Sequence, residues 1–104
     1  MFAFLISMIQ LGDKIELKEF NDLEPGELTI LKKMIGNHAN HFHEFDKLVL
    51  HMKGVHKKEK SQKFQINGVL NVDGKEYEAE ATNYNLFFAI NEVLESLRKE
   101  CDKD

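Results

Sequence analysis

The chain has 104 residues, 42% of them apolar and 31% charged, with a formal net charge of −4. That length holds one domain and one core rather than two, and the composition, free of internal repeats or low-complexity tracts, is that of a folded globular chain. A single cysteine, Cys101, excludes an internal disulfide framework and a cysteine-rich zinc site, and suits a reducing, cytoplasmic setting.

The charge is unevenly placed. From Lys47 to Lys63 six lysines face one acid, Glu59, giving +5, whereas the remainder carries eight basic and seventeen acidic residues, giving −9. An acidic total does not advertise nucleic-acid binding, yet a concentrated basic segment can supply it locally.

Met1 to Leu11, MFAFLISMIQL, is apolar but too short to cross a bilayer, which takes about twenty residues. It also lacks the basic start and small-residue cleavage site of a secretory signal. Residues 1–12 are therefore an apolar extension ahead of a single domain at 13–104. The extension is either an extra strand or packing arm, or the product of an upstream start codon with Met8 as the true initiator.

Asp13 to Phe20 predicts the first strand, with Ile15 and Leu17 on one side and Glu16 and Lys18 on the other. Asn21 to Glu24 is a turn, and Pro25 suits the first position of a helix, where its missing N–H costs nothing. Glu24 and Glu27 suit the positive end of that helix. Leu28, Leu31, Ile35, Phe42 and Phe45 fall on roughly one stripe, with Lys32 and Lys33 outside. Gly36 interrupts it at a cost of about 1 kcal/mol relative to Ala, and either permits close packing or marks a bend.

Lys47 to Lys53 alternates, Leu48, Leu50 and Met52 inward against Val49, His51 and Lys53 outward. Gly54 to Ser61 reads as a polar, lysine-rich connection. The stretch Lys63 to Leu97 organises the chain as strand, tight turn, strand and helix. Phe64, Ile66, Gly68, Leu70 and Val72 share one face of its first strand. Asp73-Gly74 is a hairpin signal, because a two-residue turn of the favoured hand needs positive φ. Tyr77, Ala79 and Ala81 then face inward, and Glu76, Glu78, Glu80 and Thr82 outward.

Asn83 is placed to cap a helix whose buried stripe is Leu86, Phe87, Ile90, Val93, Leu94, Leu97 and Cys101, with Arg98 and Lys99 at its negative end. The predicted fold is α+β, a two-layer sandwich of order β-α-β-β-β-α. Its first two strands are parallel, and both helices cover one face of a four-stranded mixed sheet.

With that order in place, DKLVLHMKGVHKKEK resembles the strand and basic loop of the ribosome hibernation-promoting factors, a family also called protein Y or ribosome-associated inhibitor. The run KFQINGVLNVDGKEYEAEATNYNLFFAINEVLESL resembles their hairpin and closing helix, with Tyr84, Leu86, Phe87, Ala89, Ile90 and Asn91 carrying the match. The resemblance spans about Asp13 to Asp102. It implies a βαβββα domain in the mRNA and tRNA channel of the small ribosomal subunit, where basic side chains on ribosomal RNA block decoding and protect idle ribosomes under stress. Family members carry more Lys and Arg on both helices and often a basic tail, whereas this sequence has His38, His41 and His43 and closes on Cys101-Asp102-Lys103-Asp104.

The RNA-contact candidates are Lys53, His56, Lys57, Lys58, Lys60 and Lys63, with His51 beside them and Lys32, Lys33, Arg98 and Lys99 as an extension if they share a side. Such contacts neutralise phosphates without reading bases. His38 and His41, three apart on a helix, have ligand spacing, but nothing completes a metal site, so the histidines read as surface or RNA-facing imidazoles. The Glu76, Glu78, Glu80 row reads as a solvated face that discourages edge aggregation. It lacks the shielded cleft that general acid–base chemistry requires. No nucleophile triad, phosphate loop or nucleotide fingerprint is present. The sequence thus points to a translation inhibitor that is not an enzyme and takes no cofactor, metal, membrane or small-molecule substrate. The alternative is a small acidic protein-interaction module that shares the fold without binding ribosomes.

Overall fold

The computed structural model describes residues 8–20, 23–42, 44–58 and 61–103, and their side chains outside 54–62. In chain order the elements are β1 (Met8–Leu11), β2 (Ile15–Lys18), α1 (Pro25–Ala39), β3 (Lys47–Lys58), β4 (Ser61–Val72), β5 (Lys75–Asn83) and α2 (Leu86–Asp102). The strands form one sheet in the order β1-β2-β3-β4-β5. Only β2 and β3 are parallel, joined through α1, and the other neighbours are antiparallel.

Among the described residues the sheet has five strands rather than the four expected. The end of the apolar extension supplies the fifth: Met8 to Leu11 fold back on β2, with Ile9 opposite Leu17 and Leu11 opposite Ile15. Gly12 makes the reversal at φ +72°, a region open to glycine. β2 without β1 would expose a row of unpaired backbone donors and acceptors. The question of an upstream start concerns residues 1–7, which lie outside the described residues.

The alternation read in β3 and β4 fixes the buried face. Leu17, Leu48, Leu50, Ile66 and Leu70 are fully buried from the sheet side. Leu31 and Ile35 of α1 and Ala89, Ile90, Val93, Leu94 and Leu97 of α2 meet them from the helix side. Each such Leu or Ile contributes roughly 1.5–3 kcal/mol of apolar burial. Gly68 lies under α2, where an added Cβ would stand 2.5 Å from Val93 Cγ1 and 3.1 Å from Leu97 Cδ1. The absence of a side chain there lets α2 seat on β4.

α1 begins at Pro25 as expected, and the Glu24 N–H donates to Glu27 Oε1 at 3.1 Å. It ends at Ala39, so Phe42 and Phe45 are not on its stripe. The chain tightens instead: His41 N–H donates to His38 O and Phe42 N–H to Ala39 O, three residues back in each case. The two rings then pack edge to face at 5.8 Å between centroids, half-buried against the core.

The cap of α2 is Asn85 rather than Asn83. The Asn85 side chain accepts the Phe88 N–H at 3.1 Å, while Asn83 ends β5 and accepts the Asn85 N–H at 2.9 Å. Asp73 (φ +50°) and Gly74 (φ +81°) make the hairpin turn, and Asp46 Oδ2 accepts the Asp73 N–H at 3.1 Å.

Candidate nucleic-acid interface

The basic segment is not a loop. β3 and β4 stay paired from Lys47↔Asn71 out to Lys58↔Ser61. β2 accompanies β3 only as far as His51, and β5 accompanies β4 only back to Phe64, opposite Asn83. The pairs His56↔Lys63, Lys57↔Gln62 and Lys58↔Ser61 therefore form a two-stranded ribbon with no neighbouring strand among the described residues, reaching roughly 10 Å beyond the last flanking strand. The run of like charges hid this strand from an alternation argument.

Lys53 sits at a register shift between Met52↔Ile66 and Gly54↔Gln65, one extra residue on β3, and its side chain is exposed. Lys63 is exposed near the start of β4, its Nζ 5.1 Å from the centre of the Tyr84 ring. His56, Lys57 and Lys58 occupy ribbon positions by backbone, and Lys60 lies outside the described residues. His51 bonds Glu19 Oε1 through Nε2 at 2.8 Å, so its imidazole faces a carboxylate on the open side of the sheet.

The helix cations do not join this group. Lys32 lines an apolar groove with Leu11, Gly12, Ile15, Ile35 and Gly36, where β1 turns into β2. That groove lies by the Leu48↔Ile15 end of the sheet, opposite the ribbon. Lys33 is exposed on α1. Lys99 is exposed and Arg98 half-buried, about 20 Å of helix rise from the Asn85 cap that neighbours Lys63. The open face of the sheet is mixed: Lys47 pairs with Glu16 at 2.7 Å, Val49 and Val69 sit half-buried at its centre, and exposed Glu76, Glu78 and Glu80 line β5.

His38 is not the surface imidazole expected. It is half-buried between the helices, its Nε2 2.7 Å from Asn91 Oδ1, with Nδ1 enclosed and without a hydrogen-bond partner. His41 is exposed beyond the end of α1, and His43 lies outside the described residues. Among the described residues, no three His, Cys, Asp or Glu side chains converge as metal ligands. None of the helices is long and apolar enough to cross a membrane among those residues.

Sequence reasoning missed two exposed aromatic rings at the start of α2, of which Tyr84 lies under Lys63. Tyr84 and Phe88 are each 62% exposed. For Phe88 the signal was available, since it falls off the Leu86, Ile90, Val93, Leu97 stripe.

No family model matches the chain, and no curated protein sequence matches it. Among solved structures it is similar to a ribosomal subunit interface protein from Coxiella burnetii, with 11% sequence identity and a TM-score of 0.60 over 86% of this chain and 92% of that one. Identity that low speaks for the fold alone. The strand and helix order implied by the resemblance to hibernation-promoting factors is present here, extended by β1, and the chain has the fold of a ribosomal subunit interface protein.

Proposed function

We propose that this protein is a cytoplasmic, ribosome-associated translation inhibitor that acts without catalysis, occupying an RNA-lined channel of the small subunit. The observation that carries the reading is the lysine-bearing ribbon standing clear of the sheet on a fold shared with a ribosomal subunit interface protein. A narrow cationic arm reaches between phosphate backbones that a flat face cannot approach together. Lys53, His56, Lys57, Lys58, Lys60 and Lys63 are its phosphate-contacting set. Lys32, Lys33, Arg98 and Lys99 serve only where RNA also wraps the far end of the molecule. Contacts of this kind hold position rather than read sequence, so occlusion is steric.

Co-sedimentation with small ribosomal subunits at rising salt tests the reading. Four phosphate contacts predict about a hundredfold loss of affinity between 50 and 200 mM salt. The triple substitution Lys57→Glu, Lys58→Glu, Lys60→Glu should abolish binding, and inhibition of cell-free translation should go with it. Undiminished binding by that variant would remove the ribbon from the proposal. The other reading, an acidic protein-binding module, draws on the exposed Glu76, Glu78, Glu80 row. It predicts no ribosome binding at any salt.

A further inference from the structure

Tyr84 precedes the cap of α2 and Phe88 lies in its first turn. A residue at the Tyr84 position commonly packs on the residue five further along, fixing the entry of the chain. Here that residue is Ala89, fully buried and too small to hold a ring, and Tyr84 stays 62% exposed. Four residues on, Phe88 turns its ring off the buried stripe and is equally exposed. Two large rings at one helix end, each more exposed than covered, leave apolar surface in water that a purely structural role would not require.

Their surroundings narrow the occupant. Lys63 stands over Tyr84, and Lys63 pairs with His56 across the ribbon, so the Tyr84 ring continues the row of the cationic arm, with Phe88 four residues on in the first turn of α2. An apolar protein partner would have to desolvate that lysine. A flat, electron-poor ring carrying its own phosphate would not: it stacks on Tyr84 or Phe88 while Lys63 meets the negative charge. Stacking platforms beside a positive groove hold unpaired nucleotides, because every base presents a π face.

We propose that Tyr84 and Phe88, with Lys63, form a stacking platform for an unpaired base of single-stranded RNA. It rests on the reading of this chain as an RNA binder, and adds to that reading that the ribbon ends against an unpaired segment rather than a duplex. Lys63 takes the phosphate next to the stacked base, and the Tyr84 hydroxyl has no necessary part.

The chain has two tyrosines and no tryptophan, so a Tyr77→Phe variant leaves Tyr84 as its one emitter in the tyrosine band. Its emission should be quenched by a uridine dodecamer and far less by a twelve-base-pair RNA duplex. Binding of a labelled dodecamer, followed by anisotropy, should weaken about tenfold in Tyr84→Ala and several-fold in Phe88→Ala, while Tyr84→Phe keeps wild-type affinity. Both rings are exposed, so the melting temperature should stay within a degree or two of wild type. Wild-type dodecamer affinity in Tyr84→Ala, equal quenching by duplex, or no dodecamer binding by the wild type would each overturn the platform. Stacking without ribosome co-sedimentation would sustain the platform and remove the ribosome. Co-sedimentation with no effect of Tyr84→Ala on the dodecamer would remove the platform alone.

Discussion

The two helices cover the same sheet and treat it differently. α2 buries seven side chains, from Leu86 to Cys101, and lies so close to β4 that Gly68 has no room for a methyl group. α1 buries only Leu31 and Ile35, exposes Ile30, and leaves an open groove toward β1 and β2. Gly36, on the wall of that groove, would meet none of the described residues within 4 Å if it carried a Cβ. One glycine is there because nothing else fits; the other has no steric reason to be glycine. The lesson is that a glycine on a buried face reports helix-to-sheet distance only when the opposite wall is present.

Substitutions can break or sharpen this contrast. The largest effect belongs to the tight half: Leu94→Ala should cost about 2–5 kcal/mol in urea unfolding, since the close-packed walls cannot collapse onto the space. Next comes Gly68→Ala, which forces Val93 aside and should cost about 1–3 kcal/mol, lowering the melting temperature by several degrees. The smallest change should have the opposite sign. Gly36→Ala should stabilise by up to about 1 kcal/mol, through helix propensity and a less flexible unfolded chain. A loss on Gly36→Ala would mean that the groove closes in solution and that the two helices are alike.

The same contrast governs what the sequence made legible. The β4-β5-α2 half was readable because Phe64 to Val72 alternates, Asp73-Gly74 demands a turn of one hand, and the Leu86 to Cys101 stripe has a single period. In the other half the cues conflict. Met1 to Leu11 is apolar but for Ser7 and Gln10, so no sustained alternation marks Met8 to Leu11 as a strand, and its role depends on the unsatisfied edge of β2. Phe42 and Phe45 happen to fall on helical spacing although the helix has already stopped at Ala39. Asn83 and Asn85 are chemically equivalent caps two residues apart, and the last pair of the β5 ladder, Phe64↔Asn83, decides between them.

At the candidate site, the cluster of lysines was visible and its form was not. Strand propensity is low for lysine, and the register from Gly54 to Lys58 follows from pairing with Ser61 to Gln65 rather than from any pattern within it. His38 was misplaced because its spacing to His41 suggested an outer face, whereas Asn91, fifty-three residues on, draws it between the helices. No local pattern encodes such a partner.

The single extra residue at Lys53 has a consequence for how this molecule can change over time. Opposed residues share a face, so deleting Lys53 would leave Gly54 to Lys58 with the same partners and the same sides, and would remove only the bend and added twist that a bulged strand carries. One codon lost there re-aims the arm without changing which residues it carries on each side, and leaves the ladder from Lys47 to Met52 as it is. Chains of this shape can therefore differ in where the arm points by a length change of a single residue.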